Sequence, residues 1–202
     1  AGTFLMLAFI LTSARGPGSR IPSVALAGGG SMPMMLMGGD DFTEWFKAAG
    51  VGAGLQTFYA YGNGPLIAPQ LRSFGRANVF VSSGIPCGCC GADSPRIEPM
   101  NETLAMEYID AELAQLETEY VDLLLFHHRC RTDYETANVW RAFEAAKRAG
   151  KAKHLGVSNF NAHDLAVLRR TAIEPIEVLE AHFGVGLMDF ETLAYAREHG
   201  IH

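Results

Sequence analysis

The chain has 202 residues and a formal net charge of −6 with no basic cluster, which argues against a nucleic-acid partner. Its length suffices for one sizeable core, and no apolar run reaches the ~20 residues a membrane-spanning helix needs. Four cysteines, three of them in the stretch PCGCCG, do not make a spread-out disulfide framework.

Residues 1–22 read as an apolar arm and linker. Ala1 to Ala14 is uncharged and mostly apolar, too short to span a bilayer. It suits the apolar core of a targeting signal, a segment docked on a partner or membrane surface, or an extension without a role. The first residue is not Met, so a processed or incomplete N-terminus is open. Residues 15–20 are a linker by composition.

Residues 23–202 form the second region. Gly28, Gly29 and Gly30 mark a hairpin turn within Ser23 to Gly39. Met34 to Met37 is the first strand of the main sheet. Asp41 to Ala49 is a short helix with Asp41 as N-cap. Leu55 to Tyr59 is the second strand. Pro65 to Phe74 is the second helix, which Pro69 should kink or shorten. Val79 to Ser83 is the third strand, Ile85 to Pro99 a long loop, and Glu102 to Thr118 the third helix, with Leu113 and Leu116 on one face.

Val121 to Phe126 is an almost unbroken apolar run, as in a strand buried on both faces of a parallel sheet. Trp140 to Ala149 is helical, with Trp140, Phe143 and Ala146 on one face and Gly150 as its stop. His154 to Ser158 is the next strand. Ala162 to Thr171, Ile176 to Ala181 and Asp189 to His199 follow as helix, strand and helix. Polar residues at the ends of such strands suggest a nucleotide or small-molecule site at the carboxyl edge of the sheet.

The segments YVDLLLFH and GVSNF, together with TFYAYGNG and WRAFEAAKRAGKAKHLGVSNF, resemble the aldo-keto reductase family. The resemblance runs from about Ser23 to the end. It implies an α/β fold, an incomplete (β/α)8 TIM-type barrel of about six strand–helix units preceded by a hairpin. A full barrel takes about 250 residues. The first and sixth strands are therefore expected to carry open edges.

The resemblance also implies a catalytic set of tyrosine, lysine, aspartate and histidine. Tyr61 stands at the tyrosine position and His127 at the histidine position. Aligning QTFYAYGN with the family pattern DTAxxYGN puts Gln56 at the aspartate position. The lysine position, at the end of VFVSSG, is Gly84. Free tyrosine titrates near pH ~10, so an acid working at neutral pH wants a cation beside it. The charged pair that would supply it is absent, and His128 is the nearest substitute in sequence. Tyr61 is equally read as a plain aromatic at a strand–helix junction. Ser158 and Asn159 match the pair that holds the nicotinamide carboxamide, whereas Val178 replaces the sixth strand's glutamine. The phosphate-binding segments belong to later units, so the expectation is no cofactor, or NADP if the family activity survives.

Cys87, Cys89 and Cys90 follow the third strand, and His127, His128 and Cys130 follow the fourth, at one end of the sheet. They could bind zinc or form a disulfide. CxCC is not a zinc spacing, and buried or free thiols are the favoured reading. The favoured function is a catalytically degraded relative serving as an accessory subunit, with other proteins covering the open barrel edge or the apolar arm. A photosynthetic or respiratory membrane complex in a plastid or mitochondrion is the guessed setting. The alternatives are an NADP-dependent carbonyl reductase with altered residues and a thiol- or metal-binding protein using PCGCCG.

Overall fold

The computed structural model describes residues 22–37, 39–87, 99–181, 184, 186 and 188–202. The apolar arm and the loop holding Cys89 and Cys90 lie outside the described residues. Two short strands, β1 (Ser23–Ala25) and β2 (Ser31–Pro33), pair antiparallel as the expected hairpin. Six parallel strands follow in simple sequence order: β3 (Met35–Met37), β4 (Ala53–Gln56), β5 (Val79–Ile85), β6 (Val121–Phe126), β7 (Ala152–Ser158) and β8 (Val178–Glu180). Helices α1 (Thr43–Ala49), α2 (Gly64–Phe74), α3 (Glu102–Gln115), α4 (Asp133–Arg148), α5 (Ala162–Arg169) and α6 (Phe190–Glu198) fall after successive strands. This is the α/β half-barrel of six strand–helix units.

The middle of the sheet follows from composition. Every residue of β6 is buried, as a strand covered on both faces requires. Helix α4 presses Trp140, Phe143 and Ala146 into the core, and Gly150 ends it with φ 75°. One apolar layer lies between sheet and helices, built from residues such as Phe46, Leu55, Val81, Trp140 and Phe143. A second fills the inside of the curl, where Phe58, Leu123, Leu125 and Val178 meet Val24, Leu26 and Met32 of the hairpin region.

Two bonds report how far the sheet curls. The Gln56 side chain on β4 donates to Glu180 on β8, four strands away in the order. The Gly28 N–H in the hairpin turn donates to Glu177 Oε2 at 3.0 Å. A β-carbon at Gly28 would stand 2.8 Å from that oxygen, so a larger residue in the turn would make the Glu177 carboxylate shift. Glu177, fully buried, also takes His154 Nδ1 at 2.8 Å and Lys147 Nζ at 3.1 Å.

Several expected boundaries move. Helix α1 begins at Thr43 with Phe42 at the cap position, and Asp41 instead accepts the Thr43 N–H at 2.9 Å. Strand β4 stops at Gln56, and Tyr59–Tyr61 is a short 3₁₀ turn. Helix α2 continues through Pro69 to Phe74, so the proline does not cut it short. Strand β5 runs on to Ile85. Helix α4 starts at Asp133, seven residues before Trp140, because Thr132 and Glu135 form a reciprocal capping box. The outer edge of β8 is not bare: Leu179 N–H donates to His202 O at 2.7 Å and His202 N–H to Glu177 O at 3.0 Å. Among the described residues β3 pairs only with β4.

Candidate active site

The carboxyl ends of β4, β5, β6 and β7 converge on one corner. After β4 the chain makes the Tyr59–Tyr61 turn, closed by Gly62 at φ 63°. Thr57 Oγ1 donates to Asn63 Oδ1 at 2.6 Å, and Asn63 Nδ2 donates to Gly39 O at 3.0 Å. These bonds tie both sides of the turn, leaving Tyr61 at its end with 43% of its surface exposed.

His127 follows β6 directly. Its N–H donates to Ile85 O at 3.1 Å, and its carbonyl accepts Asn159 Nδ2 at 2.9 Å, so its backbone is tied to β5 on one side and to the Asn159 side chain after β7 on the other. The imidazole stacks on Phe58 with ring centres 3.8 Å apart and 12° between planes. It meets Tyr61 nearly edge-on, at 6.0 Å and 87°. Burial, with a smaller contribution from His128, pushes the His127 imidazole down to about 4. At neutral pH the ring is uncharged and can offer one donor or one acceptor to a substrate. The structure therefore brings Tyr61 and His127 together; His128 lies against His127 at 4.3 Å between ring centres.

The positions implied for the charged pair are filled differently. The Gln56 amide is taken up by the Glu180 carboxylate. At Gly84 a β-carbon would run into the carbonyl oxygen of Leu125 and come within 3.0 Å of the Phe58 ring. The backbone there excludes any side chain. Val178 packs with Phe58, Leu123 and Leu125 as part of the apolar interior. Phe58 is the residue that sequence reasoning missed. Its signal was available: QTFYAYGN carries phenylalanine where the pattern DTAxxYGN has alanine.

Ser158 is buried at the end of β7, and Asn159 takes a left-handed backbone with φ 60°. Asn159 Nδ2 donates to Ser158 Oγ at 3.0 Å as well as to the His127 carbonyl. Ser158 and Asn159 thus sit in one corner, joined to the histidine. Both amide hydrogens of Asn159 are engaged within the protein, so a nicotinamide carboxamide would meet the Asn159 Oδ1 and the Ser158 hydroxyl.

Cys87 and Cys130 form a disulfide, with their Cα atoms 5.0 Å apart across the ends of β5 and β6. The sequence favours buried or free thiols here over a metal site and leaves a disulfide open; adjacent strand ends bring these two within bridging distance. Bridged, neither sulfur is a thiolate ligand. Among the described residues no group of three or more His, Cys, Asp or Glu is arranged to hold a metal.

Residues 57–202 match the profile described as the aldo/keto reductase family. Among curated proteins, an aldo-keto reductase of Mycobacterium sp. (strain MCS) is 28% identical over 165 residues, covering 77% of this chain and 55% of the relative. The glyoxal reductase of Bacillus subtilis (strain 168) is 29% identical over 196 residues, covering 92% and 66%. The chain spans little more than half the length of most curated relatives it matches. Among solved structures, the aldo/keto reductase from Brucella melitensis superposes with a TM-score of 0.77 at 23% identity, covering 91% of this chain and 70% of that one. The Bombyx mori aldo-keto reductase in complex with NADP gives 0.71 at 16%, covering 90% and 64%. At these identities the superpositions speak to the fold.

Proposed function

From the premise that this chain belongs to the aldo/keto reductase family, we propose that it reduces carbonyl compounds with NADPH at the corner where Tyr61 and His127 meet. One observation carries the reading: the two rings face each other edge-on at 6.0 Å, at the end of the sheet that also holds Ser158 and Asn159. Ser158 and Asn159 would hold the carboxamide of the nicotinamide, which when bound supplies the hydride. Tyr61, the more exposed of the two rings, donates its phenolic proton to the carbonyl oxygen. Uncharged His127 orients that oxygen by a hydrogen bond, and Phe58 keeps water from its far face. Without a lysine at position 84, proton transfer lacks the usual assistance. Loss of a tuned acid of this kind costs ~10²–10⁴ in rate, so slow turnover is expected.

The test is NADPH oxidation by the purified chain with a panel of short aldehydes, glyoxal included. The expected outcome is a slow rate that Tyr61→Phe abolishes. No rate, or a rate that Tyr61→Phe leaves unchanged, overturns the reading. A second reading has a specific observation behind it, the backbone collision that excludes a side chain at Gly84. In that reading the chain is an accessory subunit, and a second protein covers the outer edge of β3.

A further inference from the structure

We infer that Phe58 is a positioning residue: its ring takes the space beside Gly84 that the family's lysine would use, and by stacking on His127 it holds the imidazole edge-on to Tyr61. The inference rests on the reading of Tyr61 and His127 as the carbonyl site.

Two departures from the family pattern meet at this ring. Phe58 stands in place of alanine, two residues after Gln56, and its Cε1 lies 3.0 Å from where a β-carbon of residue 84 would be. Gly84 is what makes room for the ring, and the ring fills what Gly84 leaves. Phe58 is itself 1% exposed, packed below against Leu123, Leu125 and Val178. Above, it contacts both site residues, His127 at 3.8 Å in a parallel stack and Tyr61 at 5.4 Å and 75°. Two rings that each touch a third, immobile ring have their mutual angle set by it. A lysine–aspartate pair tunes such a site through charge; here apolar packing sets the geometry instead.

The titratable groups whose rings lie against His127 are Tyr61 and His128. The face covered by Phe58 is thus the side from which burial without charge acts on the imidazole. Removing the ring admits water to that face and relieves the penalty on the protonated form.

The experiment follows the His127 ring by NMR through a pH titration of the full chain, assigned with His127→Gln. In the unaltered protein the ring is expected to titrate at about 4. In Phe58→Ala the midpoint should rise by about one pH unit or more, and in Phe58→Tyr, which keeps the stack, it should stay. If Phe58→Ala fails to fold, Phe58→Leu, which cannot cover the whole imidazole face, is expected to give a smaller rise in the same direction. A folded Ala or Leu variant with an unchanged midpoint, or a Tyr variant that shifts as far as Ala, overturns the inference. The titration needs no turnover, so failure of the reductase reading leaves this result readable.

Discussion

At position 84 the strand passes so close to the Leu125 carbonyl that a β-carbon has nowhere to go, and Phe58 closes the other side. Gly84→Lys therefore does not return the family's lysine to its place; it forces β5 away from β6. Overpacking of this kind typically costs ~1–3 kcal/mol. We expect Gly84→Lys to lower stability by about that much and to add no carbonyl reduction. Chemical denaturation measures the first and NADPH oxidation the second. A variant with an unchanged midpoint, or with faster turnover, would contradict the packing argument. Gln56 poses the same problem more mildly, because its amide is already engaged by Glu180 across the curl.

Strands β5 and β6 lie side by side in parallel register from Ser82 with Leu123 to Ile85 with Phe126. Their exits carry Cys87, two residues past the last pair, and Cys130, four past it, so the bridge ties the two strand ends together. The closed segment spans a sequence separation of 43 residues and includes α3. In the chain-entropy account a loop of this size is worth ~4 kcal/mol, and disulfides commonly deliver ~2–4. Reduction should lower unfolding stability by ~2–4 kcal/mol, read as a shifted denaturation midpoint with and without a dithiol. Cys87→Ser should match the reduced protein and be insensitive to reductant. Helix α4 should survive, since Thr136 Oγ1 accepts the Cys130 N–H at 3.1 Å and the Thr132–Glu135 box caps the helix without the bridge. An unchanged midpoint on reduction would show that the bridge contributes no stability.

Among the described residues, buried Glu112 and Glu177 and half-buried His127 do most to set how stability responds to pH. Burial raises the Glu112 carboxyl from its ordinary 4.5 to about 7, against a lowering by its bond from Ser83. The folded state then holds a proton the unfolded chain has lost, so this contribution is full below 4.5 and fades as pH rises through 7. His127, held at about 4 against an ordinary 6.5, acts oppositely: stability falls as pH drops from 6.5 to 4. Burial alone would raise Glu177, but hydrogen bonds from His154 and Lys147, the His154 charge and the Gly28 N–H outweigh it and hold it at about 2. Its contribution is lost as pH falls from 4.5 towards 2. Between 4.5 and 6.5 the first two largely cancel, and stability should be nearly flat, then drop in acid. Glu112→Gln should remove one side of that balance. Its stability should rise from pH 4.5 to 6.5 and exceed the parent at pH 8 by ~1–3 kcal/mol. Denaturation midpoints at three pH values check this; a Gln variant less stable than the parent at pH 8 would contradict the assignment.

The amino-acid sequence by itself determined what depends on local pattern. The apolar run of β6, the buried face of α4, the six strand–helix units and the order of Tyr61, His127, Ser158 and Asn159 along them were all legible. Each is written in neighbouring residues, through period, stop signal or motif. The α4 start is legible too, in Thr132 and Glu135, although the large apolar residues of its buried face come only from Val139 and Trp140 onward. The tertiary structure alone decided which distant groups meet. Gln56 finds Glu180 across 124 residues, Gly28 finds Glu177 across 149, and Cys87 finds Cys130 across 43. Phe58 fills the space beside Gly84 by the same means. No periodicity encodes such pairings, because they depend on how far six twisted strands curl and on which side chains the closing interior leaves room for.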